Sequence, residues 1–185
     1  MRVLKSFGTA SAAALLIVGL ALPAAAVETA KAPLKDKTGN DVGTVELTQT
    51  QAGVLLKLAV KGLPAGEHAF HIHAVGKCEP PFESAGPHFN PTNHKHGMLS
   101  GEGHAGDMPN LHVPQSGAVE VEAVNAAITL DKGKPNSVFQ PPGTAIVIHS
   151  GKDDYKSDPA GNAGDRIACG VISEGPATTG ASPAR

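Results

Sequence analysis

Positive charge is scarce: Lys and Arg number 15 against 17 Asp and Glu, and only 17% of the 185 residues are charged. A chain without a basic surplus is poorly suited to nucleic acid. Long apolar runs are missing too. The longest, Ala12 to Leu22, is too short to span a bilayer, and no later stretch approaches it. No ten-residue stretch has the helical period, and neither an internal repeat nor a second domain is visible. Cysteine is limited to Cys78 and Cys169. With 41% hydrophobic residues the chain still lies outside the disordered and collagen-like classes, and it has the length for one core.

Arg2 and Lys5 precede the apolar run and Pro23-Ala24-Ala25-Ala26 follows it, the pattern of a secretory signal with a small-residue cleavage site. Residues 1–26 are therefore expected to be removed, 27–174 to form a single domain, and 175–185 to be a flexible tail. The first mature residues are expected to be poorly ordered as well. Loss of Arg2 and Lys5 takes the net charge from −2 to −4 over the remaining 159 residues. With no cysteine near the cleavage site to carry a lipid, the expectation is a soluble periplasmic or secreted protein without stable membrane association. Export places the two cysteines where a disulfide persists, which favours one Cys78–Cys169 bridge over two separate buried thiols. Closing a loop of about 90 residues stabilises a fold by roughly 4–5 kcal/mol at most.

Short apolar segments of strand length and composition run from Val42 to Leu47, Val54 to Val60, His68 to Ala74, Ala118 to Val124, Thr144 to His149 and Arg166 to Ile172. Turn signals such as Lys37-Thr38-Gly39-Asn40 separate them. The expected fold is all-β: an antiparallel Greek-key sandwich or flattened barrel of about eight strands. Between Val75 and Ser116, 42 residues show almost no strand pattern but carry six prolines, six glycines and five histidines. Loops of that length are uncommon unless they have a function.

Histidine suggests the function. Seven of the nine fall between His68 and His104, with His149 further on. His71 and His73 are two apart on an expected strand, so both rings project from one sheet face. His88, His96, His104 and Asp107 follow on the long loop with gaps of eight, eight and three residues. Three imidazoles and a carboxylate suit a closed zinc site, and four imidazoles with open access suit copper.

The segments Gly66-Glu67-His68-Ala69-Phe70-His71-Ile72-His73, Ser84-Ala85-Gly86-Pro87-His88-Phe89-Asn90-Pro91, Lys95-His96-Gly97, His104-Ala105-Gly106-Asp107, Val147-Ile148-His149 and Gly161-Asn162-Ala163-Gly164-Asp165-Arg166-Ile167-Ala168-Cys169-Gly170 resemble, in order, those of secreted bacterial copper/zinc superoxide dismutases. The resemblance implies disproportionation of superoxide to dioxygen and hydrogen peroxide, with one copper and one zinc per subunit. It implies copper on His71, His73, His88 and His149, and zinc on His88, His96, His104 and Asp107, with His88 shared. Asp153 would connect His71 to His96, although a shift of one residue gives that role to Asp154. His68 would hold backbone beneath the copper. Arg166 would orient the anion, the alternative being a surface arginine paired with Asp165. Lys152, Lys156 and Lys95 are candidate steering charges. Ala160 replaces a threonine common in the family, and Glu79 and Glu83 stand where some relatives carry lysines. His94, an alternative to His96, and His112 have no assigned role. Relatives include monomers and dimers, so a homodimer is compatible with the resemblance. A non-enzymatic periplasmic copper/zinc-binding protein on the same fold is the alternative.

Overall fold

The computed structural model describes residues 26–99, 101–176 and 178–179. The expected signal peptide, apart from Ala26, and the tail residues 177 and 180–185 lie outside the described residues. The regular elements are β1 (Ala26–Val27), β2 (Thr29–Asp36), β3 (Asp41–Thr50), β4 (Gly53–Val60), β5 (Gly66–His68), β6 (Phe70–His73), β7 (Leu111–Val113), β8 (Val119–Asn125), β9 (Ala145–His149), β10 (Arg166–Val171), β11 (Ser173–Glu174) and β12 (Thr178–Thr179). A single 3-10 turn, Glu83–Ala85, is the one helical element among the described residues. No helix among them is long and apolar enough to cross a membrane.

An eight-stranded antiparallel sheet runs in the order β6-β9-β10-β2-β3-β4-β8, with β11 also against β2, and curls into a half-barrel. The last long strand, β10, thus lies beside the first, the returning connection of a Greek key. Inward residues follow the strand period: Ala30, Ala32 and Leu34 on β2, and Val54, Leu56, Leu58 and Val60 on β4, are all buried. Two smaller sheets pair β5 with β7 and β1 with β12.

β6 and β9 are buried on both faces, which positions the site. Phe70, Ile72, Ile146 and Ile148 enter the main core. On the other face Ala145, Val147 and Cys169 form a second apolar cluster with Phe82 and Ala85 of the long loop. The Cys78–Cys169 disulfide, spanning 91 residues, fixes that loop to β10.

Two expectations need correction. The start of the mature chain is ordered, since β2 is a central strand beginning at Thr29. The expected strand from His68 to Ala74 is two strands broken at Ala69, whose N–H donates to Gly151 O (2.8 Å) and whose carbonyl accepts from the His149 N–H (2.8 Å).

Candidate metal centre

β6 is an edge strand, and the long loop satisfies its open backbone groups. Ile72 N–H donates to Gly106 O (2.9 Å), Phe89 N–H to Ile72 O (2.8 Å) and Gly106 N–H to Phe89 O (2.8 Å). These bonds bring His88 opposite His73 and Asp107 opposite His71. A Cβ on Gly106 would stand 2.2 Å from Ile72 O, so only glycine permits the approach. Two groups of four result: His71, His73, His88 and His149, and His88, His96, His104 and Asp107, each with ligand atoms within 4.8 Å of one another.

In the first group, hydrogen bonds on the outer nitrogens assign each tautomer. His71 Nε2 donates to Asp153 Oδ2 (2.8 Å), His73 Nδ1 to Gly86 O (2.8 Å) and His149 Nδ1 to Gly164 O (3.3 Å). The remaining nitrogens therefore carry lone pairs. His73 Nε2 and His149 Nε2 face each other at 3.4 Å, an arrangement that a cation stabilises. His71 Nδ1 and His88 Nε2 are buried with no hydrogen-bond partner among the described residues. Burial pushes His71 down to about 4, against the hydrogen bond to Asp153, and pushes His149 down to about 3 and His73 well below its ordinary value. Four converging imidazoles, with His71, His73 and His149 kept neutral by burial, fit a copper ion.

The second group converges on Asp107 Oδ1, which lies 2.9 Å from His88 Nδ1, 3.0 Å from His96 Nδ1 and 3.5 Å from His104 Nδ1. Ligands about 2.0 Å from one tetrahedral zinc stand about 3.3 Å apart, so these separations fit zinc. Asp107 Oδ2 is held by the N–H groups of Gly97 (3.1 Å) and His104 (2.9 Å).

Asp153 links the groups: Oδ2 accepts from His71 and Oδ1 from His96 Nε2 (3.0 Å). Burial opposes ionisation of Asp153 and Asp107, but hydrogen bonds from the imidazoles outweigh it and hold both below the usual carboxylate range. Burial likewise lowers His96, yet its bonds to the two aspartates raise it to about 9. Asp154 plays another part, accepting from the N–H groups of Lys156 (2.9 Å) and Ser157 (2.8 Å) within its own loop.

Arg166 sits at the start of β10, paired in register with His149. Its Nη1 donates to Phe82 O (2.7 Å) and its Nη2 to Gly86 O (2.8 Å), while Asp165 lies 3.9 Å from Lys37 instead. A cleft lined by Arg166, His149, Ala160, Glu83, Asp158 and Lys37, among others, opens on this point. Lys152, Lys156 and Lys95 do not line it; Lys152 pairs with Glu67 at 3.3 Å. His68 contacts His149 O (2.8 Å) and Pro64 O (2.9 Å). His94 meets Glu102 at 2.9 Å and His112 meets Glu67 at 3.5 Å, both away from the two groups.

Sequence reasoning missed the parts played by Gly161, Asn110 and Asp158. Gly161, at φ +63°, packs so closely that a Cβ would stand 2.0 Å from Asp153 Oδ1 and 2.8 Å from His96 Nε2. Asn110 fixes the Asp153 backbone, accepting its N–H (2.8 Å) and donating to its carbonyl (2.9 Å). Asp158 Oδ1 accepts the His96 N–H at 2.7 Å. Local sequence marks neither Asn110 nor Asp158, whose partners lie 43 and 62 residues away, and although Gly161 stands in a visible motif, His96 reaches it only in the fold.

A family model described as copper/zinc superoxide dismutase (SODC) matches residues 42–172. The chain is 58% identical over 144 residues to copper-zinc superoxide dismutase 1 of Aquifex aeolicus, covering 76% of this chain and 85% of that protein. Identity to the copper-zinc superoxide dismutase of Escherichia coli K12 is 38% over 145 residues, covering 72% and 80%. A crystal structure of a SOD-like protein from Bacillus subtilis superposes with a TM-score of 0.73 at 37% identity, covering 76% of this chain and 96% of that one.

Proposed function

Since the chain belongs to the copper/zinc superoxide dismutase family, we propose that it disproportionates superoxide with copper held by His71, His73, His88 and His149 and zinc held by His88, His96, His104 and Asp107. Bound copper supplies the one-electron exchange that oxidises one superoxide to dioxygen and reduces the next to peroxide, and bound zinc supplies fixed positive charge without redox chemistry. The side chains do the rest. Arg166, its fork fixed on Phe82 O and Gly86 O, presents a guanidinium beside His149 where a small anion can be oriented. His88 Nε2 can hold a proton and pass it to the reduced oxygen, the second proton of hydrogen peroxide coming from water. Asp153 fixes the rings of His71 and His96 from behind.

The observation that carries this reading is the convergence of lone-pair nitrogens from His71, His73, His88 and His149 beside an arginine on an open cleft. The Cys78–Cys169 disulfide supports a place outside the cytoplasm, periplasmic or secreted, for the mature chain.

The test is metal content and superoxide consumption measured on one preparation. One copper and one zinc per chain with rapid consumption are expected, and His88→Ala should uncouple the copper paramagnetic resonance spectrum from zinc occupancy. Full metal loading without consumption would instead establish the non-enzymatic metal-binding alternative.

A further inference from the structure

Two cations and three carboxylates line the cleft: Lys37 and Arg166 against Glu83, Asp158 and Asp165. Two of the carboxylates are matched. Glu83 Oε2 lies 3.7 Å from Arg166 Nη2, and Asp165 Oδ2 lies 3.9 Å from Lys37 Nζ. Asp158 has no lysine or arginine partner among the described residues. Its Oδ1 accepts the His96 N–H (2.7 Å) and stands 3.9 Å from His104 Nε2.

A half-exposed carboxylate on the wall that admits an anion has the wrong sign for capture, so its presence needs another cause. His96 supplies one. Its ring is engaged at both nitrogens, by Asp107 and by Asp153, and its backbone N–H lies in a loop with no strand neighbour to receive it. Such a group requires an acceptor from elsewhere in the chain. Asp158 provides it across 62 residues, and its charge also faces the outer nitrogen of the His104 ring. A carboxylate behind a metal-binding imidazole orients the ring and raises its basicity.

We propose that Asp158 is a positioning residue for the His96–His104 side of the zinc site, retained in the cleft although its charge opposes substrate capture. The inference rests on the dismutase reading for its second half only. A residue that merely supports the loop would, when replaced, lower zinc retention and turnover together. Asp158 separates them: loss of its charge alone raises anion capture, and loss of its oxygen lowers zinc retention.

Asp158→Asn keeps an oxygen for the His96 N–H and removes the charge. Superoxide consumption measured by pulse radiolysis at low salt should rise about two- to fivefold, with the gain shrinking as ionic strength increases. Azide binding to the copper-loaded protein should tighten by a similar factor. Asp158→Ala removes the acceptor as well, and zinc affinity measured by chelator competition should fall about 10–100-fold. The visible spectrum of the cobalt-substituted protein should change with it. An Asp158→Asn protein with full metal that neither consumes superoxide faster nor binds azide more tightly would overturn the proposal, as would Asp158→Ala with zinc affinity within about twofold of the parent. If the parent itself consumed no superoxide, the dismutase reading would fail, while the azide and chelator titrations would still decide the role of Asp158.

Discussion

Gly161 and Gly39 share a left-handed backbone, at φ +63° and +88°, but differ in surroundings. A Cβ at Gly39 meets nothing within 4 Å, whereas at Gly161 it meets the Asp153–His96 hydrogen bond. Gly39→Ala should therefore cost only the conformational term, about 1 kcal/mol. Gly161→Ala should cost about 3 kcal/mol or more and reduce zinc affinity about 10–100-fold, because the linking carboxylate must move. Denaturant unfolding and chelator competition on both variants check this. The glycine motif around Gly161 is visible in the sequence, but the reason for it is not, since Asp153 and His96 reach it only in the fold. His96 and His94 differ in the same way. Two histidines in one short stretch look alike as letters, and burial against Asp107 rather than exposure beside Glu102 separates them.

Among the elements, β4 and β9 were legible and β2 was not. Val54 to Val60 is an apolar run broken only by Lys57, whereas β2 reads Thr-Ala-Lys-Ala-Pro-Leu-Lys-Asp, with two alanines as inward residues and Pro33 in the middle. Proline argues against a central strand because it cannot donate to the ladder. The fold accommodates it on one side: β10 pairs with Lys35 and Asp36, β11 with Ala30 and Lys31, and that pairing lapses opposite Pro33, while Pro33 stays in register with Thr44 of β3. The disulfide was legible as a pairing and as a fastening of the long loop beside Arg166, but the atoms it holds against the guanidinium were not. Cys78 holds the stretch that carries both carbonyls gripping the guanidinium, Phe82 O and Gly86 O. Reduction should therefore lower turnover while the sheet stays folded, with circular dichroism unchanged at a reductant concentration that already removes most activity. It should also lower global stability by no more than about 4–5 kcal/mol.

At the scale of the whole molecule, the buried titrating groups set a pH optimum for the metal-free chain. His71 and His149 titrate near 4 and 3 in the folded chain against 6.5 when unfolded, so the unfolded state binds more protons between those values and stability rises with pH up to about 6.5. His96, raised to about 9, reverses the sign: the folded state binds more protons above 6.5, and stability falls as pH approaches 9. Thermal midpoints of the metal-free protein should accordingly peak near pH 6.5. Net charge of −2 on the full chain opposes anion approach everywhere except near local cations. Arg166→Glu should slow turnover about tenfold or more, whereas Lys152→Glu, at a lysine tied to Glu67 away from the cleft, should leave it within about twofold. Pulse radiolysis of both variants provides the comparison.

The division of the two four-residue groups between sheet and loop also imposes an order in time. A chain is made from its N-terminus, and His71, His73, His88, His96, His104 and Asp107 all emerge before His149, Asp153, Arg166 and Cys169. Until β9 and β10 arrive, β6 has no strand beside it on that side, the loop has no sulfur to anchor to, and the rings of His71 and His96 have no carboxylate behind them. A nascent or truncated chain thus holds most of the ligands without the walls, and a redox-active ion meets an assembled centre only once β9 and β10 are in place.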